Sequence, residues 1–438
     1  MRSSWRCRNK TRSESISFLQ IPKNHCRQSA SAFKPIMQGF RHQPEILQDV
    51  PEQLTQSLKQ YEDWFIVDGD KLKEITAHFV DELAKGLSIE GGSIVRTMWT
   101  GTPMNVTWVS KLPNGHEKGH ILTVDMGETN VRVCEVSLGV GKREFEQIQR
   151  KYKLPDDAET CTKETLWDFI AEKLASFLED PHAGRMSSKP LPMACTFSFP
   201  VDQRSIRSGI LQRWTKNFNV PGVEANDVVP QLEAALKRKN VPLKVVALIN
   251  DTTGTLVAPH YRAPQLTIGS IFSTGCNAAY MEECRFIPKL RGSGLPEDAS
   301  VIINTEYGAF DERQNALEAS FLSIAETDIS DELIDLKEEF QGNLKLQPTL
   351  GELKSCRYLI GLIATRAARL YACGIAAICK KKNTRQCHVG INGSVFNKYS
   401  MFKGRASQAL REILDWPPGG VELVALNAAE DGRGSSSG

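Results

Sequence analysis

The sequence predicts an α/β protein built from two lobes with a cleft between them. The chain has 438 residues, more than a single hydrophobic core usually supports, so two domains are expected. Apolar runs of strand length alternate with stretches of helical periodicity along most of the sequence, which is the pattern of α/β folds. Polar residues and glycines follow several of the strands, at the position where α/β folds bind ligands.

The first half of the sequence alternates helical and strand patterns. Apolar residues recur at helical spacing from Asp49 to Leu87, which predicts one or two helices ahead of the first strand. Short strands are predicted at 120–124 and 131–138, and the glycine-containing turn between them predicts a hairpin. The alternation continues with one helix and two buried strands, at 166–178, 193–199 and 241–249.

The second half continues the same alternation. Each of three predicted strands runs into a turn that carries polar residues: 265–272, 301–303 and 387–391. A long helix is predicted at 359–380, and its apolar stretch is interrupted by Arg366 and Arg369. A segment that contains two arginines is poorly suited to span a membrane. The sequence therefore predicts a helix packed inside the protein and no transmembrane segment.

The charge balance and the cysteine pattern limit the kinds of function. The chain carries 54 lysines and arginines against 52 acidic residues, so no net field attracts nucleic acid or an anionic membrane. Its 11 cysteines are scattered through apolar stretches, which is typical of reduced, buried thiols and predicts a cytoplasmic protein. Cys276 and Cys284 have no histidine or cysteine at zinc-ligand spacing, so a thiolate metal site is not expected.

The N-terminal segment, residues 1–44, differs in composition from the rest of the chain. In its first 35 residues eight lysines and arginines face one acid, Glu14, with several serines between them. That bias is typical of a mitochondrial transit peptide. It is equally typical of a disordered basic tail, which is the interpretation we favour.

A buried strand at 245–249 leads directly into Asn250 and Asp251, which we interpret as the start of a Thr/Gly turn. An apolar strand that ends in a carboxylate can desolvate it and raise its proton affinity, which suits a general base. An Asn-Asp pair is also ordinary turn chemistry. Both interpretations remain open from these residues alone.

Two short turns in different halves of the chain have similar sequences. Residues 125–130 (DMGETN) and 272–277 (FSTGCN) both close a strand with Gly, Thr and Asn. Backbone N–H groups beside glycine can approach phosphate oxygens closely, so two such turns can cradle a polyphosphate between two lobes. Such a pair also arises by chance, and the similarity by itself does not decide between the two interpretations.

Taken in order over roughly residues 45–431, the motifs resemble those of the eukaryotic, fungal-type hexokinase family. The family's first phosphate turn, D-x-G-G-T-N-x-R, is matched by Asp125, Gly127, Thr129, Asn130 and Arg132. Its sugar motif is matched by Ser198, Pro200, Trp214, Thr215, Lys216 and Phe218. Its catalytic motif, N-D-T-T-G-T-L, is complete at 250–256.

The second half carries the family's later motifs. The second phosphate turn is matched by Thr274, Gly275 and Asn277. The next sugar motif is matched by Asn304, Glu306, Gly308, Ala309 and Phe310. Residues 364–370 and 393–398 resemble the family's late helix and the turn on the adenosine side.

The resemblance implies the two-lobed, actin-like sugar kinase fold with an interlobe cleft. It places the small lobe and the leading helices in 45–250 and the large lobe in 251–438. The implied activity is phosphoryl transfer from ATP to the 6-hydroxyl of a hexose, glucose first among the candidates, and the implied Mg²⁺ is carried by ATP without direct protein ligands.

The resemblance also implies a role for each matched residue. Asp251 would accept the hydroxyl proton, with Lys216 as a second catalytic residue. The implied sugar-binding residues are Ser198, Thr215, Lys216, Asn250, Asn277 and Glu306. The residues implied to lie along ATP are Asp125, Gly127, Thr129, Asn130, Arg132, Thr274, Gly275 and Ser394.

The sequence departs from the family at several of these positions. Glu128 stands where the first phosphate turn has a second glycine, and Ser273 and Asn392 replace a glycine and an aspartate. The family's G-Q-Q-x-F-E-K segment has no counterpart, so the large lobe is predicted to be shortened near 311–320. These departures favour the alternative of a non-catalytic, hexokinase-like protein that binds sugar and regulates.

Overall fold

The computed structural model describes most of the chain between residues 47 and 428. The described residues are 47, 50–88, 102–127, 129–180, 190–273, 275–309, 349–384, 386–399, 401–416 and 423–428. The basic segment 1–44 and the segment 311–320 therefore lie outside the described residues. Within them the chain forms two α/β halves, each with its own sheet and its own core, which confirms the predicted two-lobed architecture.

Helices and strands alternate along the described residues as the periodicity predicted. The strands are β1 (Asn105–Val106), β2 (Gly119–Met126), β3 (Asn130–Gly141), β4 (Glu144–Lys153), β5 (Leu191–Phe197), β6 (Val201–Asp202), β7 (Ile210–Leu211), β8 (Leu243–Ile249), β9 (Leu266–Phe272), β10 (Cys276–Glu283), β11 (Ser300–Asn304), β12 (Cys387–Asn392) and β13 (Val424–Ala428). The α-helices are α1 (Glu52–Phe65), α2 (Gly69–Gly86), α3 (Lys163–Glu179), α4 (Val228–Arg238), α5 (Asp251–Arg262), α6 (Leu350–Lys381), α7 (Ser394–Lys398) and α8 (Phe402–Ile413).

The first half, which we call the small lobe, is built on a five-stranded sheet in the order β4-β3-β2-β5-β8. The predicted hairpin is its antiparallel pair β2–β3, and β2, β5 and β8 run parallel. Side chains alternate between the two faces, as strand geometry requires. Val124, Val133 and Phe197 point into the core that α3 and α4 cover, whereas Asp125 and Arg132 point to the opposite face and line a cleft.

The second half, which we call the large lobe, is built on a six-stranded sheet in the order β1-β11-β10-β9-β12-β13. Its first four strands pair antiparallel, and β12 and β13 are parallel to β9. One face carries the largest core of the described residues, formed with α2, α6 and α8. Helix α5 covers the other face, where Leu256 packs with Ala279 and Ile302.

The leading helices pack on the large lobe, whereas the sequence interpretation grouped them with the small lobe in 45–250. Leu72 and Phe79 of α2 are buried in the same core as Ile375 of α6. Arg369 of α6 adds polar contacts, because its guanidinium donates to Val67 O at 2.7 Å and pairs with Glu412 of α8. The small lobe is therefore a continuous stretch of chain set between two parts of the large lobe.

Helix α6 combines an apolar composition with burial. Its segment Lys354–Lys381 is long and apolar enough to cross a membrane, but 83% of its most apolar window is buried inside the protein. The two interrupting arginines are buried as well and donate to the backbone of Trp64 and Val67. The helix is packed inside the large lobe, as the sequence predicted.

Candidate functional site

A cleft of about 1810 Å³ lies between the bare face of the small lobe's sheet and α5 with the strand ends of the large lobe. Most of the residues singled out from the sequence line it. They are Asp125, Gly127, Thr129, Arg132, Ser198, Thr215, Lys216, Asn250, Asp251, Gly275, Asn277, Glu306 and Ser394. Asn130 does not line the cleft, and Thr274 and Glu128 lie outside the described residues.

The predicted Thr/Gly turn after β8 is wrong, because these residues form the first turns of α5. Asn250 is the N-cap of the helix, and its side-chain oxygen accepts from Thr252 N at 2.8 Å. Asp251 is the first helical residue, and its Oδ1 accepts from the same N–H at 2.8 Å. A helix N-terminus favours a negative charge, so an acidic residue is suited to this position.

Lys216 reaches the cleft from a backbone conformation that is unusual for its residue type. Lys216 and Asn217 have φ of 55° and 63°, in the left-handed region that only a few per cent of non-glycine residues occupy. The Lys216 ammonium donates to Ser198 O at 3.2 Å and lies 5.6 Å from the centre of the Phe199 ring. Both contacts hold the charge at the wall of the cleft.

A hydrogen-bond network across β10 and β11 fixes Glu306. Asn277 Nδ2 donates to Asn304 Oδ1 at 2.9 Å, and Asn304 Nδ2 donates to Glu306 Oε1 at 2.7 Å. The Glu306 backbone N–H donates back to Asn277 Oδ1 at 2.9 Å. Glu306 also has a positive φ, 51°, and its carboxylate is held by hydrogen bonds from the side chains of Asn304 and Asn277.

Two partly buried carboxyl groups of the cleft have raised proton affinities. Burial raises the pKa of Glu306 to about 7, and the nearby negative charge of Asp251 acts in the same direction. Burial likewise raises the pKa of Asp125 to about 6, although the positive charge of Arg132 opposes the change. In both groups the cost of desolvating the charged form exceeds the stabilisation by neighbouring cations.

Replacing Glu306 with Gln is expected to make the protein more stable at pH 8 and to flatten its pH dependence. The folded protein keeps the Glu306 proton up to a pKa of about 7, whereas an ordinary glutamate loses it near 4.5. The folded state binds more protons in this interval, so the wild-type free energy of unfolding falls as pH rises from about 4.5 to about 7. Urea unfolding of both proteins between pH 4 and pH 8 measures the difference. Parallel pH profiles would show that Glu306 ionises freely in the fold.

Both glycine-containing turns lie at the cleft. In the first, Gly127 N donates to Asn130 O at 3.1 Å, and in the second Ser273 N donates to Gly275 O at 3.0 Å. Ser273 Oγ lies 2.9 Å from Ser394 Oγ, which brings the end of β9 next to the start of α7. Two hydroxyl groups, one from each of these segments, therefore lie together at the cleft.

The sequence interpretation did not single out several residues that line the cleft, and Lys403 and Asn427 are two of them. Lys403 at the start of α8 and Asn427 at the end of β13 line the cleft near Ser394. Neither belongs to a recognisable motif, and only the order of the strands brings them to this edge. Lys403 adds a cation to the side of the cleft formed by the glycine turns.

The chain is similar to known hexokinases over most of its length. A family model described as hexokinase matches residues 57–261, and a second model with the same description matches 267–318 and 312–438. The hexokinase of Emericella nidulans is 44% identical over 452 aligned residues, covering 89% of this chain and 90% of that protein. Hexokinase-2 of Saccharomyces cerevisiae is 36% identical, covering 89% of this chain and 92% of that protein.

A solved structure has the same fold. The hexokinase from Schistosoma mansoni complexed with glucose superposes with a TM-score of 0.73 at 25% identity, covering 87% of this chain and 96% of that one. The two pieces of the second family match overlap at 312–318, which lies within the stretch 311–320 where the sequence predicts a shortened large lobe.

Proposed function

This chain belongs to the hexokinase family, and we propose that it transfers a phosphoryl group from MgATP to the 6-hydroxyl of a hexose, with glucose as the first candidate. The observation that carries the proposal is the meeting of two sets of groups in one cleft. Asp251, Lys216 and Glu306 lie close enough for their charges to interact, and residues of the two glycine turns line the same cleft. A relative of this fold was solved with glucose bound.

On the sugar side, the side chains are suited to hold a polyhydroxyl ligand. Glu306 and Asn277 offer an acceptor and an amide whose positions are fixed by hydrogen bonds, and Lys216 offers a donor from the small lobe. Asp251 at the start of α5 would accept the proton of the reacting hydroxyl as that oxygen forms its bond to phosphorus. Fixed groups of this kind contribute mainly by positioning the reactants.

On the phosphate side, the cleft offers oxygen donors and backbone N–H groups. Asp125, Thr129 and Ser394 line the cleft. Their oxygen atoms are ligands of the kind that Mg²⁺ prefers, so they fit the Mg²⁺ that ATP carries. When bound, Mg²⁺ would neutralise charge that develops on the transferred group. Arg132 and Lys403 supply further positive charge along this side of the cleft, and closing the lobes would exclude water that otherwise hydrolyses ATP.

A second function, binding sugar without phosphorylating it, is favoured by two specific observations. Glu128 stands in the first phosphate turn where the family has glycine, and its carboxylate would repel phosphate if it pointed inward. The sequence has no counterpart of the family's G-Q-Q-x-F-E-K segment near 311–320, and such a loss would remove part of the sugar wall. A protein with these changes and an intact sugar network would be a sensor of hexose.

The experiment that tests the proposal is hexose-dependent release of ADP by the purified protein, together with the variant Glu128→Gly. We expect turnover that requires both hexose and MgATP. We also expect MgATP to bind on the order of tenfold more tightly to the glycine variant, because the repelling carboxylate is gone; this gain corresponds to about 1.4 kcal/mol. Calorimetry with hexose present measures the affinity. The variant Glu128→Gln removes the charge and keeps the side chain, so it separates repulsion from turn geometry. Hexose binding with no ADP release in all three proteins would establish the sensor function instead.

A further inference from the structure

Two amide side chains join the lobes by a pair of hydrogen bonds. Asn105 lies on β1 of the large lobe, and Gln212 follows β7 of the small lobe. Asn105 Nδ2 donates to Gln212 Oε1 at 3.2 Å, and Gln212 Nε2 donates to Asn105 Oδ1 at 3.1 Å. We call this reciprocal pair the amide clasp. Each side chain both donates and accepts, so removing either partner takes two hydrogen bonds from the other.

Each half of the clasp is attached to one wall of the site. Across the β1–β11 ladder Asn105 is paired with Asn304, whose amide donates to Glu306 Oε1. On the other side the backbone N–H of Gln212 donates to Pro200 O at 3.0 Å, and the chain from Gln212 leads within four residues to Lys216. The clasp therefore connects the sugar-side groups of the large lobe with those of the small lobe.

A second interlobe bond lies beside the clasp. Trp108 Nε1 donates to Gln203 O at 2.7 Å, and Gln203 Nε2 donates to Leu248 O at 2.9 Å. Leu248 belongs to β8, the strand that leads into Asn250. Trp108 has a positive φ, 58°, so the backbone beside the clasp is held in a conformation that the surrounding contacts must maintain.

We propose that Asn105 and Gln212 are positioning residues that hold the Thr215–Lys216 loop of the small lobe in register with Glu306 of the large lobe. Neither clasp side chain lines the cleft, so both act through the groups they hold. The inference about catalysis rests on the proposed hexose kinase function. Because the two halves of the sugar site come from different lobes, a loosened clasp would lower productive hexose binding and leave the ATP side in place.

The test uses the variant Gln212→Leu in the full chain. Leucine keeps most of the side-chain volume and removes both clasp bonds. We expect the KM for hexose to rise on the order of tenfold, and the KM for MgATP to change by less than about twofold. Hydrogen exchange of the backbone amides at 213–216 should become faster. The double variant Asn105→Gln with Gln212→Asn restores an amide pair of the same total length, and it should recover slow exchange and most of the hexose KM.

Gln231→Leu is the matched control. Gln231 accepts from Trp167 Nε1 and donates to Asp227 O, both within the small lobe, so it should lower stability without accelerating exchange at 213–216. If Gln212→Leu does not fold, Asn105→Asp replaces it in the test. This variant keeps one acceptor of the clasp and loses its donor, so the KM for hexose and the exchange rate at 213–216 should again rise.

The exchange measurement separates the two proposals. A wild-type protein without turnover would overturn the proposed function. Even then, faster exchange at 213–216 in the clasp variants, but not in Gln231→Leu, would support the clasp. Unchanged exchange in Gln212→Leu, or equal acceleration in the Gln231→Leu control, would overturn the clasp.

Discussion

Replacing Asp251 with Asn is expected to lower the turnover number by a factor on the order of 10² to 10⁴, the usual contribution of a general base. Asparagine has the same shape, and its side-chain oxygen can still accept from Thr252 N as Asp251 does at 2.8 Å. It cannot take the hydroxyl proton, so the loss should fall on turnover and leave hexose affinity within about tenfold. A coupled assay of ADP release gives the first quantity, and calorimetry gives the second.

The matched control for this change is Asp227→Asn. Asp227 also begins a helix, and its Oδ1 accepts from Val229 N at the start of α4, away from the cleft. Its replacement should cost at most about 1 kcal/mol of stability and leave turnover unchanged. Full turnover in the Asp251 variant would mean that another group accepts the proton.

Replacing Gly393 with Ala is expected to produce the largest loss of stability among simple changes at the cleft. Gly393 has φ of 140°, and a β-carbon there would lie 1.9 Å from Phe272 O and 2.4 Å from Phe272 C. That overlap is with backbone, which cannot rotate away, so β9 and the turn after β12 must separate. We expect a loss of more than about 3 kcal/mol in the free energy of unfolding, measured in urea.

The same separation should reach the phosphate side of the cleft. Ser273 and Ser394, whose hydroxyls are 2.9 Å apart, flank the point of overlap, so MgATP binding should weaken more than hexose binding. Gly404→Ala is the control, because Gly404 is an exposed residue of α8 and nothing lies within 4 Å of the added carbon. It should stabilise the protein by up to about 1 kcal/mol. A Gly393 variant as stable as the wild type would contradict the close approach of the two segments.

The fold could be predicted where the local sequence pattern agrees with burial in the structure. At the start of α5 the two disagree. Alternation of apolar residues identified the β2–β3 hairpin because one face of that sheet is buried and the other is not. The start of α5 contains threonines and a glycine, which are poor helix formers, so it was interpreted as a turn. The helix is stabilised by close packing against β9. Gly269 of β9 lies so near that a β-carbon on it would be 2.4 Å from Leu256 N. Such close contact depends on residues that are not adjacent in sequence.

The same distinction applies to the site. Motif order identified Asp251, Lys216 and Glu306, and the cleft does bring them together. The amide network that orients Glu306 could not be predicted, because Asn277 and Asn304 meet only through the register of β10 and β11. The pairing of Asn105 with Gln212 is less predictable still, since its partners lie in different lobes.

The placement of the small lobe inside the large one has a consequence for folding during synthesis. Residues 119–249 contain the whole five-stranded sheet and its helices, so this lobe can complete its core before the rest of the chain has left the ribosome. Helix α2 is made earlier, yet its apolar face, with Leu72 and Phe79, packs against α6, which is made much later. The nascent large lobe therefore exposes an unpaired hydrophobic surface throughout most of translation, and this is the surface on which chaperones would act and aggregation would begin.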